Sequence, residues 1–512
     1  MGVPGLFGYC LKKFKNINLK NIDKQIDYLF IDGNGFIYNA VSQVLNDNIT
    51  DKLTLYSLIC QKTGELLNEL VEKLNPLNVY LAFDGVAPMA KIIQQRSRRY
   101  KTKLEDDFKQ QLNIKYGIKT PEYNKFWSNI LITPGTEFMN YLDNYFKSFS
   151  FKSVSFIFDG SNNIGEGEHK ILKYIRNNDF TDKIIVIHGL DGDLIFLSML
   201  LNNVSEIYIF RQQNKNKSNE TIDSFLDIKS LKSNFLNYFQ SVSSDIKFTM
   251  SDNNIVDFIF ICFMIGNDFL PCQKFINIYQ NGLDILINNY IETLKSYTGL
   301  IKIKENKQIE INVLAFYKFI QLCTLSEYEE YKYQKETHYK SYYFRALKNK
   351  KTYDNLSGYE KELYGYQNIL SIDNFLPLQN NFDDYRFEFY NHYFKTTDQK
   401  EVINNCCYEY LKMMKWNIEY YLFGPTDWLF SYNFPVSPLF FNILEFLTNY
   451  TFNFNNIKQV KNNCVSSEIQ LNICIPDCYL EKYNISNKKI KLKNITLDTK
   501  DKIFVYQGHL FF

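Results

Sequence analysis

Four strongly hydrophobic runs in the first 200 residues end in an acidic residue or lead directly to one. They are YLFID (28–32), VYLAFD (79–84), VSFIFD (154–159) and IIVIHGLDGD (184–193). Continuous apolar runs of this length are typical of strands that are buried on both faces of a parallel sheet. The carboxyl ends of such strands lie at one edge of the sheet, so we expect their acids to meet there although they are far apart in sequence.

A group of carboxylates at one edge of a sheet has a direct electrostatic consequence. Clustered carboxylates repel one another unless a cation lies among them, and hard divalent ions such as Mg²⁺ prefer oxygen ligands. The four runs therefore predict a metal site.

Composition and charge narrow the class of protein. The chain has 512 residues, of which 45% are hydrophobic and 22% charged, as in a soluble globular protein of two or three domains. A net charge of +2 argues against a uniformly basic nucleic-acid binder, so contacts with a polyanion must come from local patches. The longest apolar stretch, FIFICFMIG at 258–266, is far shorter than the roughly 20 residues that span a bilayer, so no membrane segment is expected. The ten cysteines show no CxxC spacing, which favours free thiols in a reducing compartment.

The order of the segments predicts three regions. Residues 1–290 alternate strand-like and helix-like segments, which indicates an α/β domain with a mostly parallel central sheet flanked by helices. Residues 291–370 are charged and rich in tyrosine, and we interpret them as a helical segment or a linker. Residues 371–512 regain apolar and aromatic character, and we expect a mainly helical second lobe that packs on the first.

The end of the fourth run and one later segment each supply acids. Asp191 and Asp193 in GLDGDL lie two residues apart, so on an extended segment both carboxylates would face the same way. The alternative is an Asp-Gly turn with both side chains in water. Asp268 in IGNDFLP directly follows a nonpolar helix-like run, and its alternative is a simple helix-ending turn before Pro271.

Glu166 and Glu168 in GEGEHK have the same spacing and precede the helix-like run HKILKYIR. On a regular helix they would point to different sides. Gly165 and Gly167 would allow the turn to aim both carboxylates inward. The alternative is a helix N-terminus that favours negative charge for its own sake.

One basic segment, KIIQQRSRRYKTK at 91–103, follows Asp84 closely in sequence. Four of its residues stand at i, i+4, i+7 and i+8, which is one stripe of an α-helix: Lys91, Gln95, Arg98 and Arg99. In isolation, such a run is as often a solvated helix face as a binding site. Beside a carboxylate cluster it indicates phosphate binding, because Arg offers bidentate hydrogen bonds and Lys a point charge.

Aromatic residues are so abundant that most must belong to the core. Tyr38 and Trp416 are the two that we single out as candidates for base stacking, although composition alone favours a packing role for each. There is no GxxxxGK[ST] sequence, which disfavours nucleotide hydrolysis, and the histidines show no zinc-like spacing.

The motifs together resemble the XRN family of 5′→3′ exoribonucleases, as a short, core-only member. In order along the chain they are MGVPGLFGYCLKKF, DGNGFIYNA, FDGVAPMAKIIQQRSRRYK, GEGEHKILKYIR, GLDGDLIFLSM and FICFMIGNDFLP. WNIEYYLFGPTDWLFSYNFPVSPLF resembles the shorter second conserved region of the family. The resemblance implies a nuclease core of the PIN-like or flap-endonuclease-like kind over residues 1–290, with the second region in 371–512 packed on it.

The resemblance also implies roles for individual residues. The metal-binding and catalytic acids of the family match Asp32, Asp84, Glu166, Glu168, Asp191, Asp193 and Asp268, whereas Asp159 falls outside this set. The pocket for a 5′-monophosphate matches Lys91, Gln95, Arg98 and Arg99.

Two positions depart from the family pattern. Tyr38 replaces a histidine that stacks on the terminal base, and it cannot titrate near neutrality as a histidine does. Ile164 replaces the usual proline before Gly165. Trp416 is matched to the second stacking residue of the family, with Trp428 as the alternative.

The expected chemistry is phosphodiester hydrolysis with two Mg²⁺ ions, or Mn²⁺ in their place, about 3.5–4 Å apart. Asp32, Asp84, Glu166 and Glu168 are assigned mainly to one ion, and Asp191, Asp193 and Asp268 to the other. The expected substrate is single-stranded RNA with a 5′-monophosphate, and the expected protein is a monomer in the cytoplasm, with the nucleus as the alternative. Two rival interpretations remain: a structure-specific nuclease like the flap endonucleases, and an inactive RNA-binding scaffold.

Overall fold

The structure is a computed structural model of the chain. It describes residues 3, 5–45, 49, 51–119, 125–214, 221–242, 245–246, 248–276, 278, 281–371, 378–394, 399–450, 452–458, 460–483, 485, 504–506 and 509–511. Side chains are not described for 213–214, 221, 337–354, 368–371, 504–506 and 509–511.

A seven-stranded sheet forms the centre of the N-terminal half. Its strands are β1 (Asn18–Leu19), β2 (Tyr28–Asp32), β3 (Asn78–Ala82), β4 (Ser155–Asp159), β5 (Phe180–His188), β6 (Val204–Asn214) and β7 (Thr221–Asp227). Their order in the sheet is β1-β7-β6-β5-β2-β3-β4. The five strands from β6 to β4 are parallel, and β7 and β1 complete one edge in antiparallel pairs. The predicted mostly parallel sheet is confirmed.

The direction in which the chain crosses this sheet reverses between β2 and β5. From β2 the chain proceeds outward to β3 and β4, then returns across β2 to form β5 and β6. Such a reversal leaves a crevice at the carboxyl ends of the two strands, where ligands of open α/β sheets usually bind. The four acid-bearing runs occupy the adjacent strands β4, β3, β2 and β5, so their carboxyl ends lie along the same edge of the sheet as this crevice.

Ten helices accompany the sheet in the described residues up to 294. They are α1 (Leu6–Lys13), α2 (Asn34–Val44), α3 (Lys52–Leu74), α4 (Met89–Tyr116), α5 (Glu137–Lys147), α6 (Gly167–Asn177), α7 (Asp193–Met199), α8 (Ile228–Val242), α9 (Asp252–Cys262) and α10 (Gly282–Leu294). Alternate residues of β2 explain why both faces are covered. Leu29 and Ile31 pack in the cluster that includes α2, α3 and α5, whereas Phe30 packs in the cluster that includes α6 to α9.

The second half of the chain is mainly helical, as predicted. A short hairpin of β8 (Ile301–Ile303) and β9 (Ile309–Ile311) comes first. It is followed by α11 (Val313–Asp354), α12 (Gly358–Ser371), α13 (Phe382–Phe394), α14 (Gln399–Phe423), α15 (Phe440–Asn449), α16 (Ser467–Cys474), α17 (Asp477–Lys482), β10 (Phe504–Tyr506) and β11 (His509–Phe511). Most of the predicted segment 291–370 is therefore helix, but the three region boundaries stay predictions. Among the described residues, no helix has the apolar length needed to cross a bilayer.

The second lobe is fastened to the beginning of α4, the helix that carries the basic stripe. The main-chain oxygen of Trp428 accepts a hydrogen bond from the Met89 amide at 2.8 Å. Gln470 of α16 accepts another from the Ala87 amide at 3.0 Å, and the apolar side of α16 packs on Met89 and Ile92. The start of α4 is thus fixed by parts of the chain that lie more than 300 residues further on.

A buried glutamate joins two helices of the second lobe. Glu327 of α11 is 1% exposed, and its two carboxylate oxygens accept hydrogen bonds from the amides of Phe440 and Phe441 at 2.9 and 3.0 Å. These amides belong to the first turn of α15, where the backbone has no helical acceptors of its own. Burial raises the pKa of Glu327 to about 7, although the two amides lower it in part.

Glu327→Gln is expected to flatten the pH dependence of stability between about pH 4.5 and 7. The folded-state pKa of Glu327 lies above its unfolded value. In wild type, the stabilising contribution of Glu327 is therefore complete below pH 4.5 and is lost as the pH rises through 7, by at most about 3 kcal/mol of unfolding free energy. The amide cannot ionise, and its single oxygen adds only a cost that does not vary with pH. Urea unfolding at four pH values measures the slope.

Glu329→Gln is the matched control, because Glu329 lies on the same helix with a 71% exposed side chain. Equal slopes for wild type and Glu327→Gln would contradict the assignment of this pH dependence to Glu327.

Candidate active site

The site is built at the crevice between β2 and β5. Asp32 is the last residue of β2, and Asp84 lies two residues beyond the end of β3. Asn34, the first residue of α2, holds Asp84 at two points: its amide nitrogen donates to Asp84 Oδ2 at 2.6 Å, and its oxygen accepts from the Asp84 amide at 3.1 Å. The sequence motif DGNG contained this residue, but its role was not predicted because the contact depends on the pairing of β2 with β3.

The turn before α6 delivers two glutamates. Glu166 is the N-cap residue of α6, Glu168 lies in its first turn, and both are buried. Gly165 has a φ of 110°, which an L side chain rarely adopts. Gly167 donates its amide to Asp84 Oδ1 at 2.7 Å, and a Cβ atom there would lie 2.8 Å from Asp32 Oδ1. The two glycines allow the turn to direct both glutamates inward, as predicted, and they also let α6 begin against the strand acids.

The geometry predicted for Asp191 and Asp193 is wrong. β5 ends at His188, and the two acids do not lie on an extended segment. Gly192 is already helical, and Asp193 is the first residue of α7, where its amide donates to Asp191 Oδ1 at 3.3 Å. Asp193 is nevertheless 3% exposed, so the turn into α7 directs its carboxylate inward by a different route.

Asp268 reaches the cluster from a turn after α9. The chain leaves the helical run at Gly266, whose φ is 91°. The Asn267 side chain accepts hydrogen bonds from the amides of Phe269 and Leu270, which fixes this turn. Gln94 donates to Asp268 Oδ1 at 3.2 Å, and this contact was not predicted from the sequence.

Mutual repulsion and burial shift the pKa values of these acids. Burial, with Asp84 and Asp191 close by, raises the pKa of Asp32 to about 8. Burial, with Asp191 and Asp268 close by, raises the pKa of Asp193 to about 7. The pKa of Glu168 is raised well above its ordinary value, first by burial and then by the nearby acids Asp191 and Glu166. The acids from different elements therefore lie close enough to influence one another.

Lys91 brings a cation into the cluster. Its ammonium nitrogen lies 2.6 Å from Glu166 Oε2 and 2.7 Å from Asp268 Oδ2. Burial lowers its pKa, but Asp268 and Glu166 outweigh burial, so the pKa lies well above its ordinary value. Burial raises the pKa of Asp268, whereas Lys91 and Arg98 bring it down to about 2. Lys91 thus joins acids from two different parts of the chain.

The rest of the basic stripe faces different surroundings along α4. Arg98 is exposed, and among the described residues no carboxylate lies within ion-pair distance of it. Gln95 is half-buried and accepts a hydrogen bond from Gln470 of the second lobe at 3.4 Å. Arg99 is also half-buried, and one of its nitrogens lies 3.5 Å from the main-chain oxygen of Ile130.

The two aromatic candidates differ in exposure. Tyr38 is 45% exposed and lies one helical turn after Asn34 on α2. Trp416 is 4% exposed; its indole N–H donates to the Asp427 main chain, and its ring stacks on Tyr420 at 4.9 Å. Trp428 is half-buried, and none of the other described aromatic rings packs on it.

Asp159 has structural partners instead of a place in the cluster. Its carboxylate accepts hydrogen bonds from Tyr80 at 2.7 Å and Asn163 at 2.9 Å, and Lys170 lies 3.2 Å away. These contacts satisfy the Asp159 carboxylate without a metal ion, which fits its exclusion from the predicted set of seven acids.

The donor set suits a hard divalent cation. Asp32 Oδ1 and Asp193 Oδ1 are buried without a hydrogen-bond partner among the described residues, a costly state for a carboxylate. Glu166, Glu168 and His169 each place a possible ligand atom within 4.8 Å of the others. Burial lowers the pKa of His169 well below its ordinary value, so its imidazole is neutral. Buried oxygen donors that repel one another are the environment in which Mg²⁺ or Mn²⁺ binds.

Comparison with known sequences identifies the family. The sequence model of the XRN 5′-3′ exonuclease N-terminus matches residues 1–213, which hold six of the seven acids and the whole basic stripe. The model of the Xrn1 helical domain matches residues 249–372, which hold the seventh acid. The chain belongs to the XRN family.

Several named relatives are similar to this XRN chain. The 5′-3′ exoribonuclease 1 of Saccharomyces cerevisiae is 30% identical over 379 residues, which cover 68% of this chain and 24% of the relative. The 5′-3′ exoribonuclease 1 of Homo sapiens is 26% identical over 506 residues, which cover 86% of this chain and 29% of the relative. The 5′-3′ exoribonuclease 2 of Saccharomyces cerevisiae is 26% identical over 58% of this chain and 36% of the relative. The XRN chain thus spans about a quarter to a third of the length of these relatives.

Gly167→Ala is expected to weaken Mn²⁺ binding to the XRN chain by about 10- to 100-fold, a loss typical of displaced ligands. The added methyl group would lie 2.8 Å from Asp32 Oδ1 and 3.4 Å from Asp84 Oδ1, so α6 or the strand acids must shift. Calorimetric titration of Mn²⁺ measures the affinity.

Gly35→Ala serves as the control, because nothing lies within 4 Å of a Cβ atom at this helical position. Unchanged Mn²⁺ affinity in Gly167→Ala would show that the close approach of α6 to the strand acids is unimportant.

Proposed function

We propose that the chain is a metal-dependent 5′→3′ exoribonuclease that degrades single-stranded RNA bearing a 5′-monophosphate. One observation supports this most strongly: a cluster of buried carboxylates adjoins the cationic face of α4 through Lys91, which contacts both Glu166 and Asp268. A carboxylate cluster alone is compatible with many metal enzymes. The adjoining cations favour a substrate whose terminal phosphate lies next to the reacting bond.

The residues proposed to hold the metal are the seven acids. Asp32, Asp84, Glu166 and Glu168 are assigned to one ion, and Asp191, Asp193 and Asp268 to the other. Bound divalent cations would lower the pKa of an attacking water molecule and stabilise the leaving oxygen. The Oδ1 atoms of Asp32 and Asp193 support this assignment, because each is buried, has lone pairs to offer and has no hydrogen-bond partner within the described part of the chain.

The basic stripe is proposed to bind the 5′-monophosphate. Arg98 is exposed beside Asp268, so its guanidinium can donate to phosphate oxygens in a bidentate manner. Lys91 is proposed to stabilise the negative charge that builds on the scissile phosphate. Gln95 and Arg99 are held in place by Gln470 and by the main-chain oxygen of Ile130, and we propose that they complete the phosphate site.

The terminal base is proposed to stack on aromatic rings near the crevice. Tyr38 presents an exposed ring on α2. Trp428 is the better second candidate, because its main chain binds the start of α4 and its ring is half-buried, whereas Trp416 is enclosed. A monomeric state and a cytoplasmic location, with the nucleus as the alternative, stay predictions.

The proposed activity predicts a marked preference among 5′ ends. The purified chain with Mg²⁺ is incubated with single strands of RNA and DNA that carry a 3′ label and a 5′-monophosphate, 5′-hydroxyl or 5′-triphosphate. Hydrogen bonds to a charged group contribute about 1.5–3 kcal/mol, so the monophosphate strand is expected to decay at least about tenfold faster than the hydroxyl strand. Gel analysis of the labelled products gives the rates.

Asp193→Asn is the inactive control, since it removes a central carboxylate while α7 can still begin there. Equal decay of all three 5′ ends would rule out the phosphate pocket. Cleavage only at flap junctions would favour the structure-specific nuclease, whose duplex-binding segment would correspond to 273–287; residues 277, 279 and 280 lie outside the described part of the chain. RNA binding without any cleavage would favour the scaffold.

Trp428→Ala and Trp416→Ala are expected to impair different properties, the first RNA binding and the second folding stability. Loss of a stacking platform weakens single-strand binding by about 1–3 kcal/mol, which we expect for Trp428→Ala. Loss of an enclosed indole costs about 3–5 kcal/mol of folding stability, which we expect for Trp416→Ala. Fluorescence anisotropy with labelled RNA, in the Asp193→Asn background, and urea unfolding separate the two.

If Trp416→Ala weakened RNA binding without a loss of stability, Trp416 would be the stacking residue, as the family resemblance implies.

A further inference from the structure

Tyr420 of α14 brings a neutral hydrogen-bond donor from the second lobe into the acid cluster. Its hydroxyl donates to Glu166 Oε1 at 2.7 Å, and the residue is 1% exposed. Lys91 contacts the other oxygen of the same carboxylate, Oε2, at 2.6 Å. Both oxygens of Glu166 are therefore held, one by a cation of α4 and the other by a phenol 254 residues away in sequence.

The Tyr420 ring has little freedom to move. The His169 ring stacks on it with a centroid distance of 3.9 Å and an angle of 21°. The Trp416 ring also stacks on it at 4.9 Å and 25°, and Phe269 packs edge-on at 5.6 Å. His169 and Phe269 are sequence neighbours of the acids Glu168 and Asp268. The ring is thus packed by residues next to two other members of the cluster.

Further contacts tie the same part of α14 to α6. Arg176, near the end of α6, donates to the main-chain oxygen of Tyr421 at 2.6 Å. Tyr421 packs edge-on against His169. The two helices are therefore fixed near both ends of α6, so the Tyr420 hydroxyl reaches Glu166 with little adjustment of either helix.

We propose that Tyr420 is a positioning residue that holds Glu166 in the orientation required to bind a divalent cation. Partners that hydrogen-bond to a metal ligand usually fix its rotamer, and their loss lowers metal affinity. A tyrosine suits this task because it orients the carboxylate without neutralising its charge. A second cation at this place would compete with the metal.

The environment keeps Tyr420 in its donating form. Burial raises its pKa well above the ordinary value, and the charge of Glu166 raises it further. The proposal rests on the proposed metal site, to which it adds a dependence on the second lobe.

Tyr420→Phe is expected to weaken Mn²⁺ binding to the full chain by about 10- to 100-fold. Phenylalanine removes only the hydroxyl group and retains a ring that can stack between His169 and Trp416. Calorimetric titration gives the affinity, and thermal unfolding without metal checks that the variant is folded. The two readouts separate a lost orientation from a lost fold.

Tyr410→Phe is the matched control. Tyr410 is fully buried on the same helix, ten residues and about 15 Å before Tyr420. The Tyr410→Phe variant is expected to bind Mn²⁺ with the same affinity as wild type. Equal losses of affinity in the two variants would overturn the proposal, because the effect would then arise from α14 as a whole.

A double-mutant cycle tests whether Tyr420 acts through Glu166. Tyr420→Phe introduced into Glu166→Gln is expected to cause no further tenfold loss, since the group that it orients is already gone. A full, additive loss would overturn the proposal.

The two proposals fail in different ways. If the wild-type chain bound no Mn²⁺, the proposed metal site would be wrong, and the proposed function would fail with it. Wild type that bound Mn²⁺ with the same affinity as Tyr420→Phe would overturn only the role of Tyr420.

Discussion

The repulsion among buried carboxylates is the constraint on which the rest of this structure depends. Asp32, Asp193 and Glu168 all have raised pKa values because they are withdrawn from water and lie near other acids, Asp191 in each case. Such a cluster opposes folding, so the surrounding elements must hold it together. The parallel sheet provides the base, since the hydrogen bonds of β2 to β3 and β5 bring the carboxyl ends of these strands together regardless of the acids. Lys91 offsets part of the repulsion by contacting one acid from α6 and one from the turn after α9.

The second lobe also helps to hold the carboxylate cluster together. It fixes the start of α4 through Trp428 and Gln470, and therefore fixes the position from which Lys91 enters the cluster. It also supplies Tyr420, which binds Glu166 directly. The acids themselves lie within residues 32–268, but their geometry depends on contacts from beyond residue 410. A fragment that ended at residue 268 would contain every acid but would lack Tyr420 and the second-lobe contacts that fix the start of α4.

Local sequence patterns predicted the strands and the glycine turns, whereas contacts between distant elements were missed. Apolar runs predicted the four parallel strands, and the glycines beside Glu166 predicted a turn that directs both glutamates inward. The extended geometry assumed for Asp193 was wrong, because Gly192 already adopts a helical conformation and no periodicity marks that change. Asn34, Gln94 and Tyr420 could not be assigned, since each acts on an acid from another element. Exposure also separates Trp428 from Trp416, and exposure is not readable from a sequence in which aromatic residues are so abundant.

The choice of partners around the acids has a physical logic. Asn34 holds Asp84, Tyr420 holds Glu166, Gln94 holds Asp268 and the Gly167 amide also holds Asp84, and all four donors are neutral. A neutral donor fixes the orientation of a carboxylate but leaves its charge, whereas a cation removes the charge that attracts a metal. Asp159 illustrates the opposite case: Lys170 and two neutral donors satisfy it, and it lies outside the cluster. Lys91 is the exception within the cluster, and it stands where the basic face of α4 meets the acids. A cation at this boundary can serve the acids and an incoming phosphate alike, so this charged partner lies where the two halves of the site must work together.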